Sequence, residues 1–292
     1  MFVEQRTRPV LAKVCRLLNR EAHDAILLRH HTNAVYAVDD LVVKIAPPAI
    51  SVGLLRKVVD LVQWLTDADF PTVHLTTEVD QPIIVDDHGI TVWERLDAAI
   101  DRPVTTGELG RLLRSLHSLE IPPVPLPQLD PMPGIRHSIS ASTILTDEDR
   151  MLLSERLEVV SGALRSVRSP LGWGLIQSDP QVRNALRRRD GTAVLADWDG
   201  ARIGDRIWDV ATVAVHCRRF GNNQDLNAFS EAYGWDPRSW SEFENLCRLR
   251  ELQMIATNAR KSLPGTPAAT EVRHRLAGMR RGHREMTAWR IL

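Results

Sequence analysis

Cysteine is scarce in this sequence. The 292 residues include three, Cys15, Cys217 and Cys247, which lie far apart and are odd in number. A disulfide-stabilised domain needs paired cysteines, and a structural zinc site needs them in close clusters. The pattern therefore excludes both classes, and we expect three reduced thiols in the core of the protein.

Long apolar runs and an excess of charge are also missing. No apolar stretch approaches the roughly 20 residues that span a bilayer, and the N-terminus lacks the apolar core of a signal peptide. Basic and acidic residues both number 37, so the formal net charge is zero. No global field therefore attracts nucleic acid or an anionic membrane, and we expect neither as a partner. From the missing span and signal peptide we expect a cytoplasmic protein, and we expect it to be a monomer or homodimer.

The composition is that of a globular protein, with 43% hydrophobic residues. Strand patterns dominate the first third of the chain and helical patterns dominate the rest, which is typical of an α+β protein with two lobes. We place the boundary after residue 94. The first lobe, residues 1–94, is small and strand-rich, and the second, residues 95–292, is larger and mainly helical.

The first lobe begins with a predicted hairpin. Residues 34–45 alternate small and β-branched side chains around Asp39 and Asp40, which places Lys44 near the end of the second strand. After the break at Pro47-Pro48, leucine and valine recur at helical spacing. Further strand-like segments cover residues 72–75, 82–85 and 91–96.

The second lobe carries helix start signals of the capping-box type, in which a hydroxyl residue precedes an acidic residue by three positions. The predicted pairs are Thr105 with Glu108, Thr146 with Asp149, and Ser239 with Glu242. The proline-rich stretch 121–134 is predicted to be a loop. Short strands are predicted at residues 175–177, 185–187 and 193–197, with a tight turn at Asp190-Gly191.

The most informative motif lies among these short strands. Asp179 and Asn184 are separated by four residues, and Asp197 follows at the end of a hairpin strand. Phosphoryl transfer needs a carboxylate that orients the attacking hydroxyl and accepts its proton, together with oxygen ligands for magnesium on the phosphates. An Asp-x-x-x-x-Asn motif followed by a second aspartate supplies both.

These residues resemble the aminoglycoside phosphotransferase family, a branch of the protein-kinase-like fold. The catalytic loop of that family usually reads His-Gly-Asp-x-x-x-x-Asn, and here it reads Gln177-Ser178-Asp179 with Asn184. The segments Ala-Asp-Trp-Asp at residues 196–199 and Gly-Asp-x-x-Trp-Asp at residues 204–209 resemble the later motifs of the family. The resemblance implies a two-lobed kinase that moves the γ-phosphoryl group of ATP, with GTP as the alternative, to a hydroxyl of a small molecule.

The resemblance also implies roles for individual residues. Asp179 is the expected catalytic base, and Asn184 and Asp197 are the expected Mg²⁺ ligands. Lys44 is expected on the α and β phosphates. Backbone amides near Thr32 and Asn33 are expected at phosphate oxygens, and the segment with Glu94 and Leu96 is expected to hold adenine.

The sequence departs from the family pattern at three places. Gln177 and Ser178 replace the usual His-Gly, the helix after Lys44 has no glutamate to pair with that lysine, and the segment before the first hairpin has no glycine-rich motif. A pseudokinase that binds nucleotide or a regulatory partner without efficient transfer is therefore the alternative function. Taken singly, Asp179 reads as a turn residue and Lys44 as a solvated charge. A hydrolase ranks last, because there is no Gly-x-Ser-x-Gly motif.

The charge of the last segment bears on the acceptor. Residues 240–292 contain ten basic residues against five acidic ones. Polycationic aminoglycosides need clustered carboxylates, since like charges disfavour binding. We therefore expect a neutral or anionic hydroxylated acceptor.

Overall fold

A computed structural model describes residues 4–30, 32–96, 102–165, 167–282 and 288–292. The helices in chain order are α1 (Glu4–Leu17), α2 (Val52–Asp67), α3 (Thr106–Ser118), α4 (Pro131–Ala141), α5 (Asp147–Leu164), α6 (Ile207–Phe220), α7 (Asn223–Tyr233), α8 (Phe243–Lys261) and α9 (Pro267–Arg281). The strands are β1 (Ile26–His30), β2 (Ala34–Val38), β3 (Leu41–Pro48), β4 (Ile83–Val85), β5 (His88–Glu94), β6 (Trp173–Ile176), β7 (Ala185–Arg187), β8 (Ala193–Leu195) and β9 (Arg202–Asp205).

The chain divides into two compact units. Unit 1 comprises Met1–Val104, Ile121–Leu126 and Val182–Ala201, and unit 2 comprises Thr105–Glu120, Pro127–Gln181 and Arg202–Leu292. Asn184 and Asp197 thus belong to unit 1, together with Lys44, whereas Asp179 belongs to unit 2.

Unit 1 is built on an antiparallel sheet in the order β1-β2-β3-β5-β4. Strand β3 alternates between buried and half-buried residues, because successive side chains point to opposite faces. Val43 and Ile45 belong to the hydrophobic core that includes residues of α1. Val42 and Lys44 therefore lie on the other face, which the candidate site uses.

Strands β7 and β8 form a separate hairpin in unit 1. Ala185 pairs with Leu195, and the turn contains Gly191 at φ 91°, a left-handed conformation that favours glycine. The predicted turn at Asp190-Gly191 is confirmed. The hairpin sets the spacing between the residues that precede and follow it, Asn184 and Asp197.

Unit 2 is mainly helical. Strands β6 and β9 pair antiparallel, with Trp173 opposite Asp205, and the strongly buried helix α6 follows β9. Helix α3 packs on α7, and the Nδ1 atom of His117 lies 2.8 Å from the Tyr233 hydroxyl. No helix among the described residues is long and apolar enough to cross a membrane.

Two predicted capping boxes are confirmed and the third is wrong. Thr105 with Glu108 begins α3, and Thr146 with Asp149 begins α5. Ser239 instead lies in a short 3-10 turn whose first residues are capped by Asp236, and α8 begins later, at Phe243.

Two further segment predictions are corrected. The proline-rich stretch 121–134 is not all loop, because the Asp130 side chain accepts a hydrogen bond from the Met132 amide and caps α4, with Pro131 at its first position. Residues 72–75 contribute single bridges, Thr72 with Leu195 and Leu75 with Trp93, rather than a strand.

Candidate active site

A cavity of ≈ 550 Å³ opens within unit 1. Its walls include Val35, Val42 and Lys44 from the β2–β3 hairpin, and Asn184 and Asp197 from either side of the β7–β8 hairpin. Apolar walls with a few polar groups at one place are typical of a small-molecule site. Three of the residues expected at the phosphates and the metal thus line one cavity.

Lys44 is a paired cation of this cavity. Its side chain is 12% exposed, and its Nζ atom lies 2.7 Å from Asp199 Oδ2 and 3.3 Å from Asp197 Oδ1. The lysine therefore has two carboxylate partners in the segment after β8, although α2 offers no glutamate.

The segment that carries Asp197 is held in an unusual conformation. Asp197 has φ 60° and ψ 61°, a left-handed geometry that costs a non-glycine residue about 1 kcal/mol. Trp198 anchors the segment, since it is 1% exposed and its indole N–H donates to the Thr72 hydroxyl at 2.8 Å. The Trp198 ring also makes an edge contact with Phe70. Buried packing thus holds the Asp197 carboxylate at the cavity.

Asn184 lies beside Asp197 because of one backbone hydrogen bond. The Asn184 carbonyl, at the end of a 3-10 turn, accepts from the Ala196 amide at 2.8 Å. Asn184 is itself buried. The amide and the carboxylate expected at the metal are therefore brought to the same end of the β7–β8 hairpin.

Strand β1 and the turn that follows it contact the same carboxylates. The Asn33 side-chain amide donates to Asp199 Oδ2 at 2.8 Å, and the Arg29 guanidinium lies 3.7 Å from Asp197 Oδ2. Among the described residues, Thr32 and Asn33 are not part of the cavity lining. A role for their backbone amides at phosphate stays a prediction, and the structure adds a contact that sequence reasoning missed.

The segment expected to hold adenine also lines the cavity, through Trp93, Glu94, Arg95 and Leu96. Two of its amides already have partners within the protein. The Glu94 amide donates to the His74 carbonyl at 3.0 Å, and the Arg95 amide donates to the Asp40 carbonyl at 2.8 Å.

In unit 2, the loop after β6 is fixed by a buried carboxylate. Asp209 is 0% exposed and accepts hydrogen bonds from the amides of Gln177 and Ser178, both at 2.8 Å. The Trp208 indole N–H donates to the Ser178 carbonyl at 3.0 Å. These contacts hold Ser178 at φ 76°, in the left-handed region.

Gln177 takes a defined role at the position where the related family usually has histidine. Its side-chain oxygen accepts from the Asp179 amide at 2.8 Å, and the residue is 1% exposed. The substitution thus retains a buried hydrogen-bonding side chain that fixes the backbone of Asp179.

The Asp179 side chain is 48% exposed and contacts side chains from α6, α8 and its own loop. Arg250 of α8 pairs with its Oδ1 atom, Gln181 donates to Oδ2 at 3.1 Å, and His216 Nε2 lies 4.0 Å from Oδ1. In the sequence, Arg250 is distinguished only as one charge of the basic segment 240–292. The spacing nevertheless indicates that Arg250 is buried, because it follows the buried Leu246 by four positions and so lies on the same helix face.

Family membership is decided by comparison with known proteins. The model of the phosphotransferase enzyme family, APH, matches residues 25–243. The chain belongs to this family. It is a phosphotransferase whose acceptor group is a hydroxyl, as the motif at Asp179, Asn184 and Asp197 predicted.

Solved structures of small-molecule kinases share the fold of the phosphotransferase. An amicoumacin kinase in complex with AMP-PNP and Ca²⁺ has a TM-score of 0.76 at 16% identity, over 96% of this chain and 95% of that one. A choline/ethanolamine kinase family protein from Mesorhizobium loti has a TM-score of 0.71 at 16% identity, over 97% and 96%. A choline kinase from Streptococcus pneumoniae has a TM-score of 0.68 at 15% identity, over 94% and 98%. No curated protein sequence matches the chain. The predicted kinase-like α+β fold is confirmed.

The residues of the cavity fit one kind of metal site. Within the described ranges, no three histidine, cysteine or acidic side chains form a group that could hold a metal ion alone. Asn184, Asp197 and Asp199 instead offer oxygen atoms near a cationic lysine. Mg²⁺ is usually held by one or two carboxylates together with substrate phosphates and water. The oxygen donors of these side chains are therefore of the chemical type that Mg²⁺ prefers.

Proposed function

We propose that the protein is a magnesium-dependent kinase that transfers the γ-phosphoryl group of ATP to a hydroxyl of a neutral or anionic small molecule. The observation that carries the proposal is the convergence of Lys44, Asn184 and Asp197 in one cavity of unit 1. Phosphoryl transfer depends mainly on positioning and on charge compensation, which these residue types supply.

Lys44 binds the α and β phosphates in this proposal. In the structure its charge is compensated by Asp197 and Asp199, which would repel a nucleotide triphosphate that arrived without a cation. Asn184 and Asp197 would hold Mg²⁺, which supplies the positive charge that the phosphates need. Nucleotide binding should therefore depend strongly on magnesium.

Adenine lies against the segment from Trp93 to Leu96. Since the amides of Glu94 and Arg95 donate within the protein, the base would bond to the Glu94 carbonyl and the Leu96 amide. Thr32 and Asn33 approach the phosphates through backbone amides, while the Asn33 side chain supports Asp199.

Asp179 acts as the general base. Its carboxylate is half exposed and oriented, so it can accept a hydrogen bond from an acceptor hydroxyl and then its proton.

The acceptor class follows from the charges beside Asp179. Two basic residues of the last segment pair with structural acids among the described residues, Arg275 with Glu271 and Arg280 with Asp149. Arg250, in the same segment, pairs instead with Asp179. A polycationic acceptor would meet this guanidinium where it needs carboxylates.

Calorimetric titration with ATP and with GTP, each with and without Mg²⁺, tests the donor site without knowledge of the acceptor. We expect Asp197→Asn to weaken the magnesium-dependent binding. Asp179→Asn should leave nucleotide affinity nearly unchanged and abolish transfer, measured as ADP release. Transfer by Asp179→Asn at the wild-type rate would overturn the mechanism, and absence of nucleotide binding would favour the pseudokinase.

A further inference from the structure

Arg250 is a buried cation next to the proposed base. Its side chain is 9% exposed, and its guanidinium donates to Asp179 Oδ1 and to Gln253 Oε1. The guanidinium carbon also lies 5.8 Å from the centre of the Trp208 ring. Arg250 thus reaches from the middle of α8 to the loop that follows β6.

Such a position is costly for an arginine. Burial lowers the pKa of Arg250, and the negative charges of Asp179 and Asp209 oppose that shift. The Nε atom of Arg250 is buried and has no hydrogen-bond partner among the described residues. A helix residue needed only for packing would be apolar here, because burying a charge destabilises the fold unless the charge is paired.

The backbone of the Asp179 loop does not need this arginine. Asp209 fixes the amides of Gln177 and Ser178, and Gln177 fixes the amide of Asp179. What these contacts leave undetermined is the orientation of the Asp179 carboxylate. Arg250 contacts one of its oxygens and Gln181 contacts the other.

We propose that Arg250 is the positioning residue of the phosphotransferase, which orients the Asp179 carboxylate for the acceptor hydroxyl. The proposal rests on the proposed role of Asp179 as base. The planar guanidinium spans Gln253 and Asp179 at once, so its own orientation is set before the acceptor arrives. Its positive charge also favours the ionised carboxylate, the form that accepts a proton.

Arg250→Gln and Arg250→Lys test the proposal, with Arg248→Gln as the matched control. Arg248 lies on the same helix but is exposed and contacts Asn245. ADP release from MgATP is measured with glucose, glucuronate, ribose and choline as acceptor probes, and with water as the acceptor in their absence. Urea unfolding of each variant reports its folded fraction.

We expect Arg250→Gln to lower kcat per folded molecule by about 10- to 100-fold, with little change in the KM for ATP. Arg250→Lys keeps the charge without the planar fork, so it should recover only part of the loss. Arg248→Gln should match the wild type. If Arg250 only stabilised the fold, Arg250→Gln would lower the folded fraction but leave kcat per folded molecule unchanged.

The proposal fails if Arg250→Gln and Arg250→Lys retain wild-type kcat while Asp179→Asn is inactive. Should Arg250→Gln not fold, a wild-type kcat for Arg250→Lys overturns the proposal by itself. The proposed function fails separately, if the wild type releases no ADP with any probe or with water, or if Asp179→Asn is fully active.

Discussion

Replacing Asp209 by asparagine tests how the loop before Asp179 is held. The buried carboxylate accepts two amide hydrogen bonds, and each bond to a charged group contributes about 1.5–3 kcal/mol. Asparagine keeps one acceptor oxygen and places an NH₂ group against the second amide. One bond is lost and two donors face each other without water. We therefore expect the free energy of unfolding to fall by about 3 kcal/mol.

The assay is equilibrium unfolding in urea, followed by tryptophan fluorescence, for the wild type, Asp209→Asn and the control Asp225→Asn. Asp225 also accepts a backbone amide bond, from Asn222 at 3.0 Å, but at the exposed start of α7. The control should lose less than about 1 kcal/mol. Equal losses for the two variants would refute the reasoning, because burial would then not determine the strength of these bonds.

Two further predictions concern a lysine and a buried thiol. Lys44→Met removes the lysine that pairs with both Asp197 and Asp199, so calorimetry should show affinity for MgATP weaker by about tenfold or more, and unchanged affinity would exclude Lys44 from the phosphates. Burial raises the pKa of Cys217 to about 12 from 9.0, so the folded state keeps its proton where the unfolded thiol ionises. The stability that this thiol contributes is fully present below about pH 9 and is lost as the pH rises toward 12. In urea unfolding, the free energy of unfolding of Cys217→Ala should therefore fall less steeply over that range than that of the wild type.

Local sequence signals predicted much of the secondary structure. A capping box is complete within four residues, which is why those at Thr105 and Thr146 could be predicted from sequence. Ser239 carried the same signal, but Asp236 and Pro237 begin a competing turn just before it. The helix α4 was missed because Pro131 and Pro133 read as loop residues, although Asp130 with Pro131 is also a helix start.

The motif residues of the site also lie near one another in the sequence. Asp179, Asn184 and Asp197 lie within one short stretch, and the resemblance that their motif carries implied a phosphotransferase. Lys44 was expected from its strand position. What the spacing left open was whether the departures from the family pattern had structural replacements.

The sequence by itself thus indicated the fold class through periodicity and capping, which act over a few residues, and the family and candidate residues through the resemblance of its motifs. The tertiary structure alone decided the partners of those residues. Asp197 pairs with Lys44, which lies 153 residues earlier in the chain, and Asp199 pairs with the same lysine. Arg250 pairs with Asp179 from a separate helix. The local sequence pattern of a strand or helix is the same whichever distant residue its charged side chain contacts. Only the packing of the elements determines which residue becomes the partner.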